Sequence, residues 1–167
     1  LIYAGASSIA IEVSSHSLQQ KRVAGLHFSH AIFTNLTQDH LDYHGDLISY
    51  GNAKAQLLYA NGLKTAVINL DDDWAKALPA KAPENIKIIS YSVRGIADVY
   101  AKNITLQPTG TRAHIVTPWG EAEINSPLLG EFNISNLLAV IACVGDQGYS
   151  LGQMLPLIEK LEPAPGR

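Results

Sequence analysis

The sequence has a single cysteine, Cys143, which excludes an internal disulfide framework and any zinc site built from several cysteines. Charged residues are also scarce, at 16% of the 167 residues, with 12 Lys and Arg against 15 Asp and Glu. Because no basic excess is available to neutralise a phosphate backbone, we expect no nucleic-acid partner. No apolar run approaches the roughly 18 residues of a membrane-spanning helix, and no basic segment precedes the apolar start. We therefore expect a cytoplasmic protein without a membrane partner.

Apolar residues make up 47% of the sequence, which is enough to build a buried core. The chain opens with Leu1 and closes on a run rich in Pro and Gly, 161–167, of the kind found in interdomain linkers. We therefore expect one folded domain, residues 1–167, cut from a longer protein.

Strand and helix patterns alternate in the first half of the chain. Short apolar runs, each followed by polar residues, predict buried strands at 8–13, 30–35 and 65–70. Helical spacing follows at 47–59 and 74–78, the second after three aspartates whose side chains can cap it. This alternation predicts an α/β fold with a mostly parallel central sheet flanked by helices, and ligands at the carboxyl ends of the strands.

The second half begins with a smaller β-rich portion. Four segments separated by Gly and Pro predict antiparallel strands: 86–92, 99–106, 112–117 and 121–125. The pairs Thr109-Gly110 and Trp119-Gly120 are typical of hairpin turns. Two helices should close the chain, one capped by Asn133 or Ser135 and running to Val144, and a last one over about 151–161.

Polar side chains concentrate after the first two predicted strands, at 12–17, 20–22 and 34–45. If those strands are neighbours, the segments converge on one edge of the sheet. A convergent set of Glu, Asp and His can hold a divalent cation, and Arg22 beside it can hold a carboxylate or phosphate. The spacing alone fits a solvated loop or a helix start equally well.

Four motifs in order along the chain carry a family resemblance. They are Glu12-Val-Ser-Ser-His16 with Gln20 and Arg22, Phe33-Thr-Asn-Leu-Thr-x-Asp-His-Leu-Asp-Tyr-His-Gly45, Ala53-Lys54, and Gly130-x-Phe-Asn-x-Ser-Asn136. Together they resemble the central, ATP-binding domain of a Mur ligase, which has a fold like that of the P-loop NTPases. The resemblance is strongest to the branch that adds diaminopimelate or lysine to UDP-N-acetylmuramoyl-L-alanyl-D-glutamate in peptidoglycan synthesis.

The resemblance implies a catalytic, metal-binding set of three residues. Glu12 and His40 match magnesium ligands of the family, and Lys54 matches a lysine that is carbamylated by carbon dioxide. The modification exchanges a cation that repels Mg²⁺ for a carboxylate-like oxygen ligand on a long side chain. Without the motif, Lys54 fits a surface lysine on an amphipathic helix.

The resemblance also implies substrate and nucleotide contacts. Ser14, Gln20 and Arg22 match positions that contact the UDP-linked muramoyl-dipeptide, and Asn133 and Asn136 match positions near the adenine of ATP. Three further residues are placed behind the metal ligands, with a purely structural role equally open: His16, Asp39 and Asp42. Asp71 and Asp72 are interpreted as helix caps, and Gln38 stands where relatives commonly have Arg.

The implied activity is an ATP-dependent ligase that works through an acyl phosphate, with Mg²⁺ and ATP as cofactors and an amino acid as second substrate. The sequence contains no Gly-x-x-x-x-Gly-Lys-[Ser/Thr] loop, so we expect the phosphate loop to lie upstream of Leu1. The family's amino-acid-binding domain is also missing, so the fragment alone should be inactive. Two alternatives remain: another ligase of the superfamily, such as a different Mur ligase or a folylpolyglutamate synthetase, and a non-catalytic scaffold domain.

Overall fold

The computed structural model describes residues 5–37 and 44–162. Four α-helices are described: α1 (Ser15–Gln19), α2 (Leu47–Ala55), α3 (Glu131–Asp146) and α4 (Leu151–Ile158). Three short 3₁₀ segments are described at Gln56–Tyr59, Ala75–Ala77 and Pro79–Lys81. The strands are β1 (His30–Phe33), β2 (Thr65–Asn69), β3 (Lys87–Ser92), β4 (Val99–Gln107), β5 (Gly110–Thr117) and β6 (Gly120–Ser126).

The six strands form one sheet in the order β1-β2-β3-β4-β5-β6. β1 to β4 run parallel to one another, with Ala31 opposite Ala66 and Ala66 opposite Ile88. β4, β5 and β6 are antiparallel and are joined by two tight hairpins. The predicted fold class, a mainly parallel sheet with a smaller antiparallel portion, is confirmed.

Helices cover both faces of the sheet, so the central strand β2 is buried on both sides. Every residue of β2 is buried, because its side chains alternate between two cores. Val67 packs in the core formed with α3 and α4, whereas Ala66 and Ile68 pack in the core formed with α1 and α2. Among the helices described, none is long and apolar enough to cross a membrane.

The strand predicted at 8–13 is wrong. These residues are not assigned to any strand, and Ile9 and Ile11 are 66% and 53% exposed. An apolar run becomes a strand only where a neighbouring strand completes its hydrogen-bond ladder. In the described part of the chain the sheet ends at β1, and the segment 8–13 does not pair with that edge strand.

The predicted antiparallel direction of the strand near residue 90 is also wrong. β3 is parallel to both β2 and β4. The chain returns from the end of β2 through two 3₁₀ segments before β3 begins, and such a crossover produces parallel neighbours. Gly and Pro mark where a strand ends but carry no information on its direction. The two predicted hairpins are confirmed, with Gln107 opposite Gly110 and Thr117 opposite Gly120.

Two predicted helix starts differ from the structure. The helix expected at 74–78 is a short 3₁₀ segment, Ala75–Ala77, whose first N–H donates to Asp72 Oδ1 at 2.9 Å. α3 begins after Gly130, which has φ +96° and provides no side-chain cap. The Asn133 amide instead donates to the carbonyl of Leu129 at 2.8 Å, so the predicted Asn133 or Ser135 cap is wrong.

Candidate functional site

An open cleft of about 570 Å³ lies where β1, β2 and β3 end and α3 begins. This is the carboxyl edge of the parallel strands, the usual place for ligands in open α/β sheets. Its lining residues are Thr34, Asn35, Asn69, Asp71, Asp72, Val93, Arg94, Glu131, Phe132, Ser135 and Asn136.

Asn69 joins the ends of β1 and β2 at the floor of the cleft. Its amide nitrogen donates to the carbonyl of Thr34 at 2.7 Å, and its amide oxygen accepts from the backbone N–H of Asp71 at 2.9 Å. The side chain is buried, so both bonds are shielded from water. The sequence analysis did not single out Asn69. Its position as a polar residue at the end of an apolar run could have indicated a hydrogen-bonding role at the end of the strand.

The two carboxylates beyond β2 hold the neighbouring loops. Asp71 accepts hydrogen bonds from the Ser92 hydroxyl at 2.6 Å and the Val93 N–H at 2.8 Å, which joins β2 to the end of β3. Asp72 accepts from the Leu36 N–H at 3.0 Å as well as capping the 3₁₀ segment. The cap interpretation is confirmed for Asp72 and wrong for Asp71.

Tyr91 lies buried beside the cleft at the end of β3. Its buried hydroxyl makes no hydrogen bond among the described residues, and the side chain of Ser135 is a polar neighbour. Burial raises the pKa of Tyr91 far above its ordinary value, and the negative charges of Asp71 and Asp72 act in the same direction. The phenol therefore stays protonated at every physiological pH.

The first two turns of α3 form one wall of the cleft. Asn136 lines the cleft, as does Phe132, which is 68% exposed. Asn133 does not line it, because its amide is turned back to Leu129. Of the two asparagines that the resemblance implies for adenine, the structure therefore places only Asn136 on the cleft.

A second group of polar side chains joins α1 to α2. Ser14 caps α1, with its hydroxyl accepting from the Ser17 N–H at 3.2 Å. The buried Ser15 shares a 2.9 Å hydrogen bond with His44 Nε2, and the His44 ring stacks on Tyr50 with centroids 5.2 Å apart.

Lys54 lies at the end of this chain of contacts. Its ammonium stands over the Tyr50 ring, 5.4 Å from the centroid, and its side chain is partly buried on α2. α2 itself begins at the cap Asp46, whose Oδ1 accepts from the Ser49 N–H at 2.6 Å. Tyr50 and Lys54 are four residues apart on α2, so this is a contact between neighbours on one face of the helix.

Gly51, one helical turn before Lys54, allows α2 to lie against Trp74. A Cβ at residue 51 would overlap the indole Nε1 of Trp74 and stand 2.8 Å from its Cδ1. We expect Gly51→Ala to destabilise the chain by about 1–3 kcal/mol, because overpacking outweighs the better helix propensity of alanine. Urea unfolding followed by tryptophan fluorescence measures this effect.

Gly152→Ala is the matched control, since a Cβ there meets only the Ser150 hydroxyl at 3.9 Å. That exchange should be neutral or stabilising by up to about 1 kcal/mol. Equal effects of the two substitutions would contradict the close approach of α2 to Trp74.

His16 is half-buried, with its ring centroid 5.4 Å from that of His44. The other predicted site residues are exposed or lie outside the described part of the chain. Glu12, Gln20 and Arg22 are exposed on either side of α1. His40, Asp39, Asp42 and Gln38 lie outside the described residues. Within residues 5–37 and 44–162, no three His, Cys, Asp or Glu side chains are grouped so that they could hold a metal ion.

A family model, the Mur ligase middle domain, matches residues 2–144. The curated UDP-N-acetylmuramoyl-L-alanyl-D-glutamate--2,6-diaminopimelate ligase of Neisseria meningitidis serogroup B is 45% identical over 166 residues, which cover 98% of this chain and 34% of the relative. The chain therefore spans about a third of the length of the curated relatives it matches.

Two solved structures extend the comparison. A structure of a UDP-N-acetylmuramoyl-L-alanyl-D-glutamate--2,6-diaminopimelate ligase has a TM-score of 0.85 and 39% identity, and the match covers 93% of this chain and 32% of that one. MurF from Acinetobacter baumannii has a TM-score of 0.75 and 26% identity, over 83% of this chain and 30% of that one. Both the sequence identity and the TM-score are therefore higher for the diaminopimelate ligase than for MurF.

Proposed function

Since the chain belongs to the Mur ligase middle-domain family, we propose that it is the central, nucleotide-binding domain of an ATP-dependent ligase that adds diaminopimelate to UDP-N-acetylmuramoyl-L-alanyl-D-glutamate. The observation that carries the proposal is the 45% identity to a diaminopimelate-adding ligase over 98% of this chain. Among the solved structures, a ligase of that type is 39% identical and MurF is 26% identical. A longer protein, with a phosphate-binding loop before this chain and an amino-acid-binding domain after it, is part of the proposal.

The cleft at the strand ends suits ATP. It is open, it lies at the carboxyl edge of β1, β2 and β3, and its α3 wall presents the amide of Asn136. An asparagine amide offers one donor and one acceptor side by side, which matches the edge of adenine. We assign Asn136 to the base and give Asn133, turned to the backbone, a supporting role in the first turn of α3. When bound, ATP supplies the phosphoryl group that activates the substrate carboxylate.

The other residues of the cleft hold its shape. Asn69, Asp71 and Asp72 join the ends of the three strands through the hydrogen bonds described above. These bonds fix the loops against which the nucleotide would lie, and positioning of this kind supplies much of the rate enhancement in phosphoryl transfer.

Ser14, Gln20 and Arg22 are proposed to bind the UDP-linked muramoyl-dipeptide. All three are exposed at or near the ends of α1, where a large ligand has access. The planar guanidinium of Arg22 is suited to the carboxylates of the peptide.

Mg²⁺ is proposed as a cofactor, with Glu12, His40 and carbamylated Lys54 as ligands. Of these three, Glu12 and Lys54 lie within the described residues and His40 lies outside them, and no catalytic step is assigned to the ion. The proposal for Lys54 is supported by its motif and by its partly buried position on α2. Carbamylation joins the neutral amine to carbon dioxide, forming an N–C bond and releasing one proton.

The test is amino-acid-dependent release of phosphate by the full-length protein, with ATP and UDP-N-acetylmuramoyl-L-alanyl-D-glutamate. We expect turnover with diaminopimelate, little with lysine, and none with the 167-residue chain alone. Turnover with lysine in preference to diaminopimelate would contradict the proposed amino acid. Turnover only with another acceptor would identify a different ligase of the superfamily, and no turnover with any substrate would favour the scaffold.

A further inference from the structure

Lys21 has a backbone conformation that lysine rarely adopts. Its φ is +56°, in the left-handed region, and it follows directly on Gln20, the C-cap of α1. In this region the Cβ of an L-residue crowds the following carbonyl oxygen, a cost that glycine avoids. A residue held in such a conformation points to a structural or a functional requirement at its position.

The hydrogen bonds around Lys21 form a complete Schellman motif. The N–H of Lys21 donates to the carbonyl of Leu18 at 3.0 Å, and the N–H of Arg22 donates to the carbonyl of Ser17 at 2.8 Å. Glycine is the usual residue at the left-handed position of this motif. The end of α1 therefore explains the backbone conformation at residue 21, but it does not explain why that residue is a lysine.

The side chain of Lys21 is available to an anionic ligand. Lys21 is exposed, and within residues 5–37 and 44–162 it makes no ion pair, unlike Lys76 and Lys87. It lies between Gln20 and Arg22, which are both proposed to bind the UDP-linked muramoyl-dipeptide. That ligand carries a diphosphate and carboxylates, and two consecutive cations offer such groups more charge-assisted hydrogen bonds than Arg22 alone.

We propose that Lys21 contacts an anionic group of the UDP-linked dipeptide, a phosphate or a carboxylate, next to Arg22. This inference rests on the proposed function, because it takes that dipeptide as the ligand. The alternative role for Lys21 is purely structural, since a cation also interacts favourably with the carbonyl groups at the end of a helix. The two roles differ in one respect: only a contact with the ligand makes the affinity for the dipeptide depend on the lysine side chain.

The experiment measures binding of UDP-N-acetylmuramoyl-L-alanyl-D-glutamate and of UDP to the full-length protein by calorimetry, together with urea unfolding of the same protein. Lys21→Gly keeps the left-handed backbone and removes the cation. It should leave the midpoint of unfolding unchanged or raise it. It should also weaken binding of the dipeptide by about 10-fold, the effect of losing one hydrogen bond to a charged group. Lys21→Arg should retain the affinity.

The two ligands locate the contact. UDP carries the diphosphate and no carboxylate. An equal loss of affinity for UDP in Lys21→Gly would assign Lys21 to the diphosphate, whereas a loss confined to the dipeptide would assign it to a carboxylate. Either result supports the proposal.

Asn103→Gly is the matched control, because Asn103 is also left-handed, at φ +55°, and is exposed in β4. It should leave both affinities unchanged. Unchanged dipeptide affinity in Lys21→Gly would overturn the contact, and so would a loss of affinity that comes with a lower midpoint of unfolding. If the unsubstituted protein binds the dipeptide in that case, the proposed function stands, whereas absence of dipeptide binding by the unsubstituted protein would overturn both.

Discussion

Replacing Lys54 with alanine is expected to lower kcat/KM of the full-length ligase by about 10²- to 10³-fold, the usual cost of removing one charged or hydrogen-bonding group from an active site. The reason is the loss of the carbamate, whose negative charge the proposed site requires. The intact mass of the unsubstituted protein, measured under conditions that preserve carbamates, should exceed the sequence mass by one carbon dioxide molecule. Lys54→Ala should lack that increment.

The contact with Tyr50 gives this prediction a second readout. In the structure the ammonium of Lys54 stands 5.4 Å from the centre of the Tyr50 ring, a contact that favours the cationic form. An anionic carbamate is repelled by the same ring face, so carbamylation should move the side chain away from Tyr50. Addition of bicarbonate should therefore change the NMR signals of the Tyr50 ring in the unsubstituted protein and leave them unchanged in Lys54→Ala.

Lys81→Ala is the control, because Lys81 is exposed in a 3₁₀ segment remote in sequence from the motifs. It should keep both the activity and the mass increment of the unsubstituted protein. Full activity in Lys54→Ala would contradict the role assigned to Lys54.

Asp146→Ala is expected to destabilise the chain by about 2–4 kcal/mol. The substitution removes the carboxylate that accepts hydrogen bonds from three side chains and leaves those donors without it. Asp146 ends α3 at the edge of the sheet opposite the cleft, and its side chain is only 10% exposed. Its carboxylate accepts from His30 Nε2 at 3.0 Å, Thr65 Oγ1 at 2.7 Å and Lys87 Nζ at 2.5 Å. One residue thus joins the starts of β1, β2 and β3 to the end of α3.

The contribution of Asp146 should depend on pH. Partial burial alone raises the pKa of Asp146, but the hydrogen bonds from Lys87, Thr65 and His30 outweigh it and lower the pKa. A carboxyl group with a lower pKa in the folded state stabilises that state above its unfolded pKa, and the contribution is lost as the pH falls through the folded value. The difference in unfolding free energy between the unsubstituted chain and Asp146→Ala should therefore shrink on acidification.

Asp73→Ala is the control for Asp146, because the side chain of Asp73 is 97% exposed and pairs only locally with Lys76. Exposed pairs of this kind contribute at most about 1 kcal/mol. A destabilisation by Asp73→Ala equal to that by Asp146→Ala would contradict the account of the sheet edge.

The sequence predicted most of the sheet, because strands such as β2 carry continuous apolar runs that only burial on two faces explains. The sequence-based prediction was wrong where the structure of a segment depends on residues far away in the sequence. The run 8–13 is apolar enough for a strand, yet no described strand pairs with it. The direction of β3 is set by the crossover before it, which the composition of the strand does not record.

The site was predictable to a similar extent. The motif around α3 predicted Asn136, and the structure places it on the cleft. It also implied Asn133, whose side chain turns to a carbonyl four residues earlier, a local competition that sequence similarity does not resolve. The partners of Asp71, 21 and 22 residues away, arise only once β2 and β3 are side by side.

The central claim is that one edge of this sheet holds both the nucleotide and a cation bound by Glu12, His40 and carbamylated Lys54. The most direct test is a crystal structure of the full-length protein with a non-hydrolysable ATP analogue, Mg²⁺ and the UDP-linked dipeptide. We expect the base against Asn136, and the three ligands within about 2.0–2.1 Å of magnesium. A base bound elsewhere, or ligand side chains directed into separate regions, would contradict the claim.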